Sequence, residues 1–353
     1  MDFPRGALHR SCLLIVSLLA GAGAAYAKQS CTVPAGTVPI EFRSGENTLR
    51  GFLDKPPTHG RHPVILILHG SGSTNVTDGN GGYNSSYDEL RAAFRRAGFA
   101  TAVWDKAGSG CSEGRYSIGT PLVERTDETV AALDALKARD DVDATRIGLW
   151  AISESGWVAP MAAVRRPEIA LLIVVSAPGG DAQAENEYFA FNRLTQSGVG
   201  AAEARQAVAT LRRAYLIANA GGSRAEFLAA IEPLERYPVF GTDLHVTETP
   251  EMKLSAAAAA AYRTNQQARD SVLRADTYLR ELRQPTLAIW GGRDDQVDWR
   301  TSERLYREAF ALSGNTSLTM KVFPDAGHNL YGTGSTFVKG YLDLMVDWLK
   351  QRR

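Results

Sequence analysis

The chain has 353 residues, 44% of them hydrophobic, with 39 Lys plus Arg against 39 Asp plus Glu. That length excludes a minimal domain and calls for one large domain with an insertion, or for two domains. The even charge balance gives no ground for expecting nucleic acid or anionic lipid as a partner.

In chain order, Arg5, His9 and Arg10 precede an apolar stretch that ends in Ala25-Tyr26-Ala27, just before Lys28. This is the layout of a secretory signal peptide over residues 1–27, cleaved after Ala27. Its apolar core of about 14 residues falls short of the roughly 20 that span a bilayer, so no stable membrane anchor is expected. The product should be exported, to the periplasm or the medium. Cys12 lies in the signal, and the remaining Cys31 and Cys111 either pair in an oxidising compartment or stay as two separate thiols.

Residues 38–42 and 49–54 read as a hairpin around Ser44-Gly45-Glu46-Asn47. Val64-Ile65-Leu66-Ile67-Leu68 is an unbroken apolar run, the pattern of a strand buried on both faces. Residues 87–97 form an expected helix with Leu90 and Phe94 four apart, followed by a strand over 99–104. A second helix covers 123–139, with Val130, Leu133 and Leu136 on one stripe. Further strands end near Trp150 and cover 169–175, 286–290 and 318–323. The alternation predicts an α/β protein with a mostly parallel sheet and helices on both faces. Between Pro178 and Pro285 it stops: residues 201–220, 225–235 and 255–282 are helix-forming and show no clear strand. They predict a helical cap at 179–284, inserted between the sixth and seventh strands, with the core split into 36–178 and 285–353. Asn75, Asn84 and Asn315 fit the glycosylation sequon, which would matter in a eukaryotic secretory pathway.

The chemistry centres on Ala151-Ile152-Ser153-Glu154-Ser155, where an apolar strand meets a helix-compatible run. A nucleophilic serine on such a turn sits in a strained conformation, so the residues two before and two after it must be small. Ala151 and Ser155 meet that demand for Ser153. Were Ser155 the nucleophile, Trp157 would fall where the helix must pass close to the strand. Ser153 is therefore the expected nucleophile.

A serine hydroxyl needs a base, and the base needs an acid to orient it. Of six histidines, His328 stands in a loop just after the strand over 318–323, where it can reach the sheet edge. The acid is expected at Asp294, after the strand over 286–290, with Asp295 as the reserve; the alternative is that both aspartates only cap the helix starting near Trp299. The oxyanion formed during acyl transfer calls for backbone N–H donors. Ser71, in His69-Gly70-Ser71-Gly72, and Glu154 are the expected pair, with Gly72 as an alternative. The Glu154 carboxylate has no assigned task.

With these motifs in order, the chain resembles the α/β-hydrolase superfamily over roughly residues 36–350. Residues 151–155 are similar to its nucleophile elbow, 69–72 to its oxyanion loop, 291–297 to its acid loop, and Gly327-His328 to its histidine loop. Asp105-Lys106-Ala107-Gly108-Ser109-Gly110-Cys111-Ser112 is similar to the family's aspartate-and-glycine loop after the fourth strand, with Ala107 where relatives often carry arginine. Both elbow glycines are replaced, by Ala151 and Ser155, which implies a more crowded elbow. The resemblance implies an exported serine hydrolase of the esterase or acyl-peptidase-like branch, acting on a small-molecule ester or acyl-peptide without metal or organic cofactor. A peptidase binding a substrate ammonium would need an acidic pair, for which Glu185, Glu187, Glu232 and Glu235 are available. A catalytically silent binding module on the same scaffold is the alternative from another class.

Overall fold

The computed structural model describes residues 31–78, 85–116, 122–219, 222–239 and 274–352. The expected signal peptide, Asn84 of its sequon, and residues 220–221 and 240–273 of the expected cap lie outside them.

Eight strands form one sheet: β1 Val38–Ser44, β2 Asn47–Asp54, β3 His62–Leu68, β4 Ala100–Trp104, β5 Val142–Ile152, β6 Leu172–Val175, β7 Thr286–Gly291 and β8 Leu318–Phe323. Their order is β1-β2-β4-β3-β5-β6-β7-β8. The β1–β2 hairpin and the β2–β4 pair are antiparallel, and every pairing from β4 onward is parallel.

The apolar run of β3 shows how the layers form. Side chains alternate across a strand, so Val64, Leu66 and Leu68 enter one core while Ile65 and Ile67 enter the other. On the first face lie α2 (Leu122–Lys137), α3 (Ser155–Arg165) and α8 (Trp299–Ser313), contributing Leu133, Ala162 and Phe310. On the second lie α1 (Ser85–Arg96) and α9 (Tyr341–Lys350), contributing Phe94 and Leu349. All seven residues of β3 are buried, and each buried Leu or Ile contributes roughly 1.5–3 kcal/mol relative to exposure.

Between β6 and β7 the described chain is helical: α4 Ala182–Gln196, α5 Ala201–Asn219, α6 Arg224–Ile231, a 3₁₀ turn Glu232–Leu234, and α7 Ala275–Leu279. The segment has its own small core of Leu194, Ala204, Leu211, Phe227, Ile231 and Leu234. Local chemistry starts its helices: Asp181 accepts the Ala184 N–H at 2.9 Å, and Ser223 with Glu226 forms a reciprocal capping box.

Cys31 and Cys111 are disulfide-bonded, with Cα atoms 5.8 Å apart across 80 residues of sequence. The bond fastens the N-terminal segment to the loop after β4. That loop is built around Asp105, whose buried carboxylate accepts the N–H groups of Val76 and Cys111 at 2.6 and 3.2 Å.

Candidate active site

Ser153 follows the last residue of β5 and precedes α3. Its φ of +56° lies in the left-handed region, which costs a non-glycine residue of order 1–3 kcal/mol and persists only where the surroundings enforce it. Here they do: the Ser153 N–H donates to Val175 O at 3.0 Å, and the Gly156 N–H donates to Ser153 O at 2.7 Å. The turn is crowded, as expected, but the tightest contact falls elsewhere than the sequence suggests. A Cβ on Gly156 would lie 2.5 Å from Ala177 Cβ, because the first turn of α3 crosses the end of β6. A Cβ on Gly70 would lie 3.2 Å from Ser153 Cβ. Ser155, by contrast, has room for its hydroxyl, which donates to His69 O at 2.5 Å.

His328 and Asp294 meet beside the same strand ends. The Asp294 carboxylate oxygens lie 3.0 and 2.9 Å from His328 Nδ1, and both residues are buried. The N–H groups of Gln296 and Val297 donate to Asp294 Oδ1 at 2.9 and 3.0 Å. Asp294 therefore builds the turn and orients the imidazole at once. The helix cap is Asp298 instead, which accepts the Thr301 N–H. Asp295, the reserve acid, turns toward the cap and accepts the Gln196 amide at 2.8 Å.

One strand end ties both loops together. Val175 O holds the Ser153 backbone, and the hydroxyl of the next residue, Ser176, donates to His328 O at 2.6 Å. Ser176 also has a positive φ, +44°, and its own N–H is held by Ile289 O at 2.8 Å. Sequence reading missed Ser176, since nothing in its neighbourhood marks a link to a loop 152 positions away.

On the other side of Ser153, the Glu154 carboxylate left without a task is ion-paired with Lys106. The Lys106 ammonium also donates to the carbonyls of Gly70 and Gly72, on either side of Ser71. Burial pushes the Lys106 pKa down, and the Glu154 charge opposes that shift. His69 is buried against Tyr87, with ring centroids 4.9 Å apart. Burial first, then the charges of Lys106 and Arg91, push its pKa down to about 3. It therefore stays neutral, unlike a residue that must collect protons near neutral pH. Among the described residues, no group of three or more His, Cys, Asp or Glu side chains is arranged to hold a metal ion.

A buried histidine–carboxylate pair and a serine in a strained turn thus lie at strand ends of one sheet. Residues 63–333 match the model of the Hydrolase_4 family, described as serine aminopeptidase, S33. The chain belongs to this family. Solved structures share the fold: the Pyrococcus furiosus esterase Pf2001 (14% identity, TM-score 0.55, 89% of this chain and 92% of that one) and the ferulic-acid-bound Est1E of Butyrivibrio proteoclasticus (17%, 0.53, 89% and 97%). Porphyromonas gingivalis dipeptidyl peptidase 4 matches 89% of this chain at 17% identity and TM-score 0.55, over 35% of its own length. Among curated proteins, the thiohydrolase apmlB of Arthrinium phaeospermum is 29% identical over 137 residues, 38% of this chain and 41% of that protein. The quorum-quenching protein AidA of Acinetobacter baumannii is 24% identical over 124 residues, 35% and 38% of the two chains. These matches span about two fifths of each relative's own length. As a Hydrolase_4 member the chain belongs to the α/β-hydrolase superfamily.

Within this Hydrolase_4 chain, the four cap acids do not converge on an ammonium site. Glu185 is buried against the acid loop and accepts the Asp298 N–H at 3.0 Å. Glu187 is engaged by Arg212 and Gln183. Glu232 and Glu235 are exposed.

Proposed function

We propose that the protein is an exported serine hydrolase that cleaves carboxylic esters through an acyl-enzyme. The observation that carries the reading is the buried Asp294–His328 pair, anchored through Ser176 to the strand end that holds the strained Ser153. In this reading Ser153 Oγ attacks the acyl carbon while His328 Nε2 takes its proton, and Asp294 accepts a hydrogen bond from His328 Nδ1–H. The N–H groups of Ser71 and Glu154 stabilise the oxyanion. His328 returns the proton to the leaving alkoxide, and water attacks the acyl-Ser153 ester by the same route, releasing the acid and restoring the hydroxyl.

The ester reading is supported by the four candidate cap acids, since Glu185 accepts the Asp298 N–H, Glu187 is engaged by Arg212, and Glu232 and Glu235 are exposed. The family description favours the second reading, an exported aminopeptidase or acyl-peptidase with the same triad. Rates on nitrophenyl acyl esters of increasing chain length, set beside amino-acid and acyl-peptide nitroanilides, separate the two. Turnover of the esters with little on the anilides supports the first reading, and activity confined to the anilides overturns it.

Export is supported by the signal layout of residues 1–27 and by the Cys31–Cys111 disulfide, which suits an oxidising compartment. The expected result on fractionating cells that express the full chain is a product starting at Lys28, outside the cytoplasm. Retention of the intact chain in the cytoplasm would count against export.

A further inference from the structure

We propose that Lys106 is a positioning residue that holds both oxyanion donors, an assignment that rests on the acyl-transfer reading above. The Lys106 side chain runs buried from the loop after β4, where its own N–H donates to Thr74 Oγ1 at 2.7 Å. An ammonium has three donors and no acceptor. Its acceptors here are three: Gly70 O at 2.5 Å, Gly72 O at 3.1 Å and Glu154 Oε1 at 3.4 Å.

The first of these contacts bears on catalysis through the geometry of the peptide bond. Gly70 O and the Ser71 N–H belong to the same planar unit, and no peptide bond among the described residues is cis, so the two groups point in opposite directions. Drawing Gly70 O onto Lys106 therefore turns the Ser71 N–H away from the ammonium. The same contact polarises that peptide and strengthens its N–H as a donor. Gly72, on the other side of Ser71, has φ +96°, a conformation open to it as glycine, and its carbonyl is fixed to the same nitrogen. The third contact reaches Glu154, whose backbone N–H is the other proposed donor.

One buried cation thus fixes the spacing between two donors on different strand ends. All its donors are committed to protein oxygens, so Lys106 acts through the loop and makes no contact of its own with substrate. The buried surroundings suit that task. Arg125 and Glu128 pair at 2.6 Å on α2, and Glu128 accepts the Ala107 N–H at 3.2 Å, so the neighbouring charges are themselves paired.

The test compares the full chain with Lys106→Met, which keeps the length of the apolar stem, and with Lys106→Arg. Ester kinetics are read beside inhibition by an acyl trifluoromethyl ketone, whose adduct mimics the oxyanion. Loss of one oxyanion donor costs roughly 10²–10³ in kcat, and loosening two donors without removing them should cost Lys106→Met about 10- to 100-fold. The expected result is that fall in kcat with KM within about threefold, an equal fall in affinity for the ketone, and partial recovery in Lys106→Arg. Unchanged kcat and ketone affinity would overturn the proposal, as would a loss confined to KM. Should Lys106→Met fail to fold by circular dichroism, Glu154→Gln decides: a smaller fall shared by kcat and ketone affinity supports the clamp, and no change in either overturns it. A wild-type chain inert toward esters and amides alike removes the functional reading and the clamp with it. An active wild type with unaffected variants removes the clamp alone.

Discussion

On the proposed acid–base side of the site, two backbone N–H groups fix the Asp294 carboxylate, and the Ser176 hydroxyl holds the His328 carbonyl. On the proposed nucleophile side, backbone bonds hold the Ser153 turn, but the loop at residues 69–72 is held by side chains, the Lys106 ammonium and the Ser155 hydroxyl. The hold on the Asp294 carboxylate tolerates change in its neighbours, because backbone donors survive most substitutions. The hold on residues 69–72 is exposed to single mutations two residues from the nucleophile, or on another strand altogether.

The comparison ranks the expected effects. Asp294→Asn should lower kcat by roughly 10⁴-fold with the fold intact, since the amide favours the wrong imidazole tautomer. A fall below tenfold would mean that another group orients His328. Ser155→Ala removes the bond from α3 to His69 O, worth about 1 kcal/mol, and should lower kcat roughly five- to tenfold with KM little changed. If the side-chain-held half is instead insensitive, kcat will match wild type. Tyr188→Phe removes the hydroxyl that donates to Asp294 O at 3.0 Å from cap helix α4. Because the backbone already secures that loop, a change of no more than about threefold is expected, and a larger one would make the cap a partner in holding the acid.

The smallest effect concerns stability. Burial pushes the Glu185 pKa from 4.5 up to about 8, with the Asp298, Asp294 and Asp181 charges adding to the rise. Between those values the folded chain keeps a proton that the unfolded chain has lost, so Glu185 makes stability fall as pH rises from about 5 to 8. Glu185→Gln should remove that slope, gaining a few degrees in Tm over wild type between pH 5 and pH 8. Parallel Tm curves would show that Glu185 does not link cap and acid loop in this way.

Much of this was legible in the sequence where local chemistry decides the outcome. Val64 to Leu68 announced a strand buried on both faces, and the histidine after β8 stood where the sheet edge can use it. The sequence alone does not separate Asp294 from Asp295, because both sit in one turn; their opposite directions depend on the two N–H groups that close around Asp294. The sequence presents Ser155 as a small elbow residue and a rival nucleophile, and its bond to His69 depends on where β3 ends beside α3. Nothing in the 105–112 segment marks a role for Lys106, since its three acceptors come from two other segments of the chain. Gly156 went unnoticed because its constraint, the end of β6, is contributed by Ala177.

The most direct test is covalent. The full chain is treated with a fluorophosphonate, digested, and the adduct located by mass spectrometry, in parallel with Ser153→Ala. The account predicts one stoichiometric adduct on Ser153, absent from the variant, together with a loss of turnover of roughly 10⁴-fold or more. An adduct on Ser155 or elsewhere, or labelling that persists in Ser153→Ala, would contradict it.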